Sequence, residues 1–436
     1  MRELEPAPPP EEARDRIGKY PVIRKLGAGA SSEVFLCRDP FNDREVAVKR
    51  IFPEALRDGT RGPLYRRLFF TEASLAGKLS HPHIVAIYDA VIEEDWGYIA
   101  MQYVAGGTLE AHVRADNLLP IDKIVEIVFK CTRALSYANQ LGITHRDIKP
   151  ANILLSGPSD VMISDFGLAL TAGTPSNQGI DIGSTAYLSP EQVREQPLTQ
   201  QTDIYALGVV MYQLLTARLP YQASDYFSMV YQITNFDPPP PSSVRDGIPM
   251  SVDRIVRKAM HKDQAKRYQT WEELARDLAE TFRTESLASG GEEIADSEKF
   301  GTLRAMNFFR HFSDPELWEV IAIGSWEKVA PGAILMREGE SGDSFCLLAS
   351  GSVKVTKNRK LLNVLGPGEC FGEMAYLSET RQSRGASIAA NRESHIVRIR
   401  IADLHKASEA CRLKFDRAFI GILVDRLNLS NTRLTG

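Results

Sequence analysis

The sequence predicts an α+β protein made of two folded units. Three observations carry this. Short β-branched runs near the start give way to helical spacing by residue 121. Glycine- and proline-punctuated strand runs, from Pro331-Gly332 to Gly366-Pro367-Gly368, fill the later part of the chain. An acidic stretch around Gly290-Gly291 separates the two patterns. At roughly 150 residues per domain, 436 residues make about three compact units, or two if one is large. The 43% hydrophobic and 25% charged fractions are globular values and exclude a mostly disordered chain.

The elements follow in order. Residues 1–16 are rich in proline and charge and are expected to form a disordered tail. An acidic, proline-rich start also lacks the basic and then apolar pattern of an export signal. Val22 to Lys25, Val34 to Cys37 and Val46 to Ile51 read as strands of an antiparallel meander, separated by Gly, Asp and Asn. From Ile121 to Gln140 the spacing is helical, with Ile124, Ile127, Val128, Cys131 and Leu135 on one face. The longest apolar stretch, Ile204 to Ala217, is interrupted by Tyr205, Tyr212 and Gln213. It falls short of the about 20 residues a bilayer needs, so it reads as a buried helix and no membrane span is expected. Residues 284–299 hold five acids (Glu285, Glu292, Glu293, Asp296, Glu298) and one base (Lys299), which suggests a flexible linker between a 17–283 unit and a 300–425 unit. In the second unit, Ser313-Asp-Pro-Glu316 forms a capping-box start for a short helix. The strand runs that follow suit a small β-roll. Helical spacing returns from Leu404 to Leu429, and residues 426–436 are expected to be a tail.

The charge balance, 52 basic against 56 acidic residues, is −4. So weak a field argues against nucleic-acid binding by charge. Five dispersed cysteines (Cys37, Cys131, Cys346, Cys370, Cys411) form no C-x-x-C pair. They read as buried thiols of a reducing cytoplasm.

One constellation points to phosphoryl transfer. Gly27-Ala28-Gly29 lies between two strand runs, where glycine lets backbone N–H groups approach phosphates. Val46-Ala47-Val48-Lys49 on the next run places an ammonium beside that loop. Glu72 can pair with it. Glu54 is too close in sequence to cross to a separate helix. In His145-Arg-Asp-Ile-Lys-Pro-Ala-Asn152, Asp147 can accept a hydroxyl proton, Lys149 can steady a phosphate and Asn152 can ligate a metal. Asp165, in Ser164-Asp-Phe-Gly, adds a second metal ligand. Such transfer needs positioning and charge cancellation more than covalent chemistry.

These motifs, in this order, make residues 17–283 resemble a eukaryotic-type serine/threonine protein kinase of the compact bacterial form. The resemblance implies a bilobal kinase fold, ATP, and Mg2+ or Mn2+. It implies ATP contacts at Leu26, Gly27, Ala28, Gly29, Val34, Ala47 and Lys49, and at Met101, Gln102 and Val104 of the gatekeeper and hinge. It also implies that Asp203 braces the catalytic loop and that Arg267 pairs with Glu191. Arg146 would engage a phosphorylated loop whose candidate sites are Thr171, Thr174 and Ser176. Ser32 stands where the family has a third glycine, and Ser184 where it usually has threonine. A metal role for His81 and His83 is the weaker reading of that pair, since the family uses this loop structurally.

Residues 300–425 resemble a cyclic-nucleotide-binding domain through Gly366-Pro-Gly-Glu-Cys-Phe-Gly-Glu373 and Arg384-Gly-Ala-Ser387. The resemblance implies that Gly372 opens a phosphate cassette, Glu373 takes the ribose hydroxyl, Arg384 takes the phosphate of cAMP or cGMP and Ser387 adds a hydroxyl. The spacing from Glu373 to Arg384 is longer than the family's, and Arg381 competes for the phosphate role. The expected function is a cytoplasmic serine/threonine kinase acting on protein substrates, autophosphorylating, and tuned by a cyclic nucleotide. A kinase with a ligand-free docking domain and a pseudokinase scaffold are the alternatives.

Overall fold

The computed structural model describes residues 16–435 apart from 30, 61, 76, 94–95, 167–169, 172–184, 290–293 and 378–382. The chain divides into two compact units, Met1–Thr281 and Phe282–Gly436.

The first unit opens with an antiparallel sheet. Its strands are β1 (Arg16–Ile17), β2 (Tyr20–Ala28), β3 (Ser32–Asp39), β4 (Arg44–Ile51), β5 (Ile87–Ile92) and β6 (Gly97–Gln102), in the order β1-β2-β3-β4-β6-β5. The three expected strand runs lie within β2, β3 and β4. Alternation drives the packing: Cys37, Val46, Val48 and Ala100 face one core, and Ile99 and Ile51 face Phe69 on the other side. Between β4 and β5 lie α1 (Pro53–Arg57) and α2 (Gly62–Ala73).

The rest of this unit is mainly helical. α3 spans Ile121–Gln140, the range its apolar spacing predicts, and buries that face completely. The helix Gln200–Thr216 is buried almost all round, so its continuous apolarity reflects a core position. Short antiparallel pairs, β7 (Ile143–Thr144) with β10 (Leu170–Thr171) and β8 (Ile153–Leu155) with β9 (Val161–Ile163), lie next to α3 in sequence and carry the loops that bear the chemistry.

The second unit starts with helices Asp296–Ala305 and Asp314–Ile323. The Glu316 carboxylate accepts the Ser313 N–H at 2.6 Å, and Pro315 sits in the first turn. Two four-stranded sheets follow, β11-β18-β13-β16 and β12-β17-β14-β15. Their strands are β11 (Gly324–Val329), β12 (Ile334–Met336), β13 (Ser344–Ser350), β14 (Val353–Lys357), β15 (Lys360–Leu365), β16 (Cys370–Phe371), β17 (Ser387–Ala390) and β18 (Ser394–Arg400). Cys346, Leu348, Val353, Phe371, Ile388 and Ile396 fill the roll between them.

Three expectations need correction. The expected linker 284–299 is not one flexible stretch, because the helix Trp271–Ser289 runs through its first six residues and a new helix begins at Asp296. Helix-forming Glu285, Leu287 and Ala288 precede the glycine pair and prolong the helix. The expected tail 426–436 is helical to Thr435. The single helical stretch from Leu404 is two helices, Ile401–Leu404 and Glu409–Thr435. Ser408 separates them. Its hydroxyl accepts the Cys411 N–H at 3.1 Å and donates to Glu319 at 2.8 Å, capping the second helix. The expected tail 1–15 lies outside the described residues.

All five cysteines are buried and none is in a disulfide. Burial pushes the Cys131, Cys346 and Cys411 thiols up to about 12. Among the described residues no helix is long and apolar enough to cross a membrane.

Candidate active site and nucleotide pocket

Lys49 stands on β4 opposite Val34 of β3. Its ammonium lies 2.8 Å from a Glu72 oxygen and 3.0 Å from an Asp165 oxygen. Glu72 is in the last turn of α2 and is 3% exposed. Burial alone would lower the Lys49 pKa, but the charges of Asp165 and Glu72 outweigh it and hold the pKa above its ordinary value. Burial raises the Glu72 carboxyl against the attraction of Lys49. For Asp165, burial pushes up but Lys49 wins, and the carboxyl stays below its ordinary value. The Lys49 cation is thus held between a buried Glu72 and an Asp165 whose side chain is 43% exposed.

The loop that carries Asp147 is held from beneath. Asp203, in the first turn of the Gln200–Thr216 helix, accepts the backbone N–H groups of His145 and Arg146, both at 2.7 Å. Arg146 takes a left-handed backbone, φ 69°, as does Asp165 at 62°. Non-glycine residues tolerate that conformation where surrounding contacts impose it, as at a site. Asn152 donates to the Asp147 carbonyl at 2.8 Å and to its carboxylate at 3.1 Å. The Lys149 ammonium lies 2.8 Å from the same carboxylate oxygen, Asp147 Oδ2. His145 contacts the Ser164 carbonyl at 3.0 Å and packs on Phe166, with ring centroids 4.4 Å apart. The loop with Asp147 and the loop with Asp165 are thus one packed body. Glu191 and Arg267 form a bidentate pair at 2.6 and 2.7 Å, about 1% exposed, and Thr202 also donates to Glu191.

The sequence-derived residues converge. Ala47 and Met101 are paired across β4 and β6. Leu26, Gly27 and Ala28 end β2, and Gly29 closes its turn through an N–H to the Ser32 carbonyl at 2.7 Å. A Cβ built on Gly27 would meet nothing within 4 Å, and one on Gly29 only the Ser32 carbonyl at 3.8 Å, so the loop has open space beside it. The Gln102 N–H is bonded to the Ala86 carbonyl at 2.8 Å and is not open to the adenine expected there. Thr174, Ser176 and Ser184 lie outside the described residues, and Thr171 is described only as the last residue of β10. Sequence reading missed Arg67. It lies close enough to Arg146 for its charge, with burial the larger cause, to help lower the Arg146 pKa. Its place on α2 gave no motif signal.

His81 and His83 are buried but form no metal cluster with other residues among those described. The His83 N–H donates to His81 Nδ1, and His83 Nδ1 faces the Val161 carbonyl at 2.9 Å, which gives both rings a structural place.

In the second unit a cavity of about 490 Å³ is lined by Met336, Val355, Phe371, Gly372, Glu373 and Arg384, among others. Arg384 donates to the Gly372 carbonyl at 3.1 Å and the Ser344 carbonyl at 2.8 Å. Burial lowers its pKa. Glu373 is 5% exposed. Ser387 is not part of the lining: it sits on β17, where its hydroxyl accepts the Glu338 N–H at 2.9 Å. Arg381 lies outside the described residues.

A model of the protein kinase domain matches residues 20–278, and one of the cyclic nucleotide-binding domain matches residues 326–410. The chain is similar to the serine/threonine-protein kinase PrkC of Bacillus subtilis, 36% identical over 284 residues, which are 65% of this chain and 43% of PrkC. It is similar to the serine/threonine-protein kinase PknB of Mycobacterium leprae, 40% identical over 267 residues (60% of this chain, 42% of PknB), and to PknB of Mycobacterium tuberculosis, 37% over 275 (61% and 43%). The matched part thus spans less than half the length of these relatives.

Proposed function

The chain belongs to the protein kinase family, and on that premise we propose that it transfers the γ-phosphoryl group of ATP to serine and threonine hydroxyls of proteins, under the control of its cyclic nucleotide-binding domain. The observation that carries this is the Lys49 ammonium held between Glu72 and Asp165. A scaffold with no chemistry has no use for a buried cation beside an acidic residue that is itself 43% exposed at its side chain. Asp147 accepts the proton of the attacking hydroxyl. Asn152 and Lys149 fix that carboxylate's direction, and Lys149 offsets negative charge on the transferred group. Asn152 uses its amide N–H groups on Asp147, which turns its oxygen to the other side. That oxygen and the Asp165 carboxylate are hard donors of the kind Mg2+ or Mn2+ takes. A divalent ion bound there would supply charge neutralisation for the transfer.

Autophosphorylation is part of the same reading. Among the described residues the buried Nε and Nη1 of Arg146 have no hydrogen-bond partner, and Arg67 lies beside them. A phosphate carrying about −1.5 to −2 charge is the natural partner for such a pair. Thr171, Thr174 and Ser176 are the candidate donors of it.

The cavity beside Arg384 falls within the about 300–1,000 Å³ of small-molecule sites. It supports a cAMP or cGMP ligand with its phosphate near Arg384 and the Gly372 backbone. One observation favours a second reading: Arg384 is already satisfied by two carbonyls, as a ligand-free docking domain would have it. Five buried cysteines outside any disulfide suit a cytoplasmic location. The decisive assay is magnesium-dependent phosphotransfer to a protein substrate, with and without cAMP and cGMP. No transfer by the full chain rejects the kinase reading. Transfer with no nucleotide binding by calorimetry leaves the docking reading.

A further inference from the structure

The hairpin β14–β15 of the second unit carries charge that nothing beside it answers. Residues 354–360 hold four cations, Lys354, Lys357, Arg359 and Lys360, and no acid, in a chain whose net charge is −4. All four are exposed, and among the described residues none of them has an ion-pair partner. Lys357 is paired directly with Lys360 across the turn. Like charges in that position destabilise a hairpin. The turn adds to the cost. Asn358 and Arg359 both have positive φ, 49° and 64°, as a two-residue type I′ turn requires. Glycine is the usual second residue of such a turn, so Arg359 keeps a cation at the tip against its own backbone preference. The Glu338 carboxylate accepts the Asn358 N–H at 2.9 Å and holds the turn in place.

The neighbours of these cations are apolar and in water. Val353, Leu365 and Ile388 point into the core, so Lys354, Val364 and Ala389, next to them in the chain, point out. Cross-strand pairing sets Ile334, Ala389, Lys354 and Val364 in one row over the four strands, with Thr356 and Leu361 paired in the row beside it. Leu361 is 59% exposed, Ile334 52% and Val364 45%. Exposed apolar side chains among unpaired cations complement a surface that is anionic outside and apolar beneath. An acidic protein or another polyanion answers the charge but leaves the apolar side chains in water. A partner strand fits less well still. β15 is the edge of its sheet, but its Val364 N–H is donated to the Asn363 side-chain oxygen at 2.9 Å, which closes the edge at that point.

We propose that this hairpin docks the second unit on an anionic lipid bilayer, with Lys354, Lys357, Arg359 and Lys360 at the headgroups and Leu361 and Val364 at the acyl boundary. Each cation near such a surface is worth about fivefold in affinity, and salt weakens the attraction. Co-sedimentation of the full chain with vesicles tests it. Vesicles of phosphatidylglycerol and phosphatidylcholine should carry the chain down, and vesicles of phosphatidylcholine alone should not. No binding to the anionic vesicles at low salt overturns the proposal and leaves the face to an acidic protein. Lys357→Ala with Lys360→Ala should weaken vesicle binding by about 25-fold, from two lost cations. The same variant removes the repulsion across the turn, so its unfolding midpoint in urea should hold or rise. Undiminished vesicle binding in this folded variant puts the contact elsewhere and overturns the proposal. Leu361→Ser separates a bilayer from a bare polyanion, because it keeps all four cations. Its binding to the anionic vesicles should fall. If it binds them as the parent chain does, the attraction is to charge alone and insertion into the bilayer is overturned.

Discussion

At Lys49, burial and charge pull in opposite directions, and the two carboxylates decide the outcome. Lys49→Met and Asp165→Asn each remove part of that balance, and each should bring phosphotransfer close to background in a radiolabel assay. Asp147→Asn keeps the shape but removes the proton acceptor. Its kcat should fall by at least about 10²-fold. The Glu191–Arg267 pair makes a different prediction, about stability. Removing one partner of a buried pair costs about 3–5 kcal/mol, so Arg267→Ala should lower the unfolding midpoint in urea sharply. The pair also has a pH signature. Burial pushes the Glu191 carboxyl up, but the Arg267 hydrogen bonds outweigh that and hold it below its ordinary 4.5 in the folded chain. A depressed carboxyl contributes stability that is full above its unfolded value and is lost as pH falls through the folded one. The wild type should therefore lose stability below about pH 4.5, with a smaller contribution to that loss in Arg267→Ala. Equal pH slopes in the two proteins would show that the pair does not act this way.

Elements set the geometry that these residues use. The catalytic loop keeps a left-handed Arg146 because Asp203 takes two adjacent N–H groups. Asp203→Ala leaves both donors without that acceptor. Activity should drop more than in a distant surface variant, with faster amide exchange at His145 and Arg146. Unchanged exchange there would remove the bracing role. In the β-roll, the short turn before β13 makes room for Arg384: a Cβ on Gly342 would fall 2.5 Å from the guanidinium. Gly342→Ala should displace Arg384 and weaken any cyclic-nucleotide binding seen by calorimetry, while the roll's own unfolding midpoint moves little. Undiminished binding would show that Arg384 does not hold the ligand.

At the scale of the whole molecule, a sensor unit can alter the other unit only through a ligand's differential affinity for two states of the chain. The usual coupling of about 1–3 kcal/mol corresponds to about 5–150-fold. Adding cAMP or cGMP should change ATP turnover within that range, and Arg384→Ala with Glu373→Ala should abolish the change while basal turnover stays. A wild type that binds nucleotide with no change in rate would place the ligand's effect on partner choice instead.

The sequence by itself determined the α+β class, the order of the chemical motifs and the Ile121–Gln140 helix, because each rests on local pattern or residue type. Lys49, Glu72, Asp147, Asn152 and Asp165 could be singled out because charged and amide side chains in a fixed order of turns and strands point to one chemistry. Only the tertiary structure decided what lies far apart in sequence. It brings Glu72 to Lys49 across 23 positions and Asp165 to Lys49 across 116. It gives the Gln102 N–H to Ala86, turns Ser387 away from the cavity and ties Arg384 to two carbonyls. Helix ends were also its decision: Ser408 caps its helix with a hydroxyl that also donates to Glu319 of another element. Local propensity is carried by neighbours in the chain; burial and hydrogen-bond partners are carried by neighbours in space.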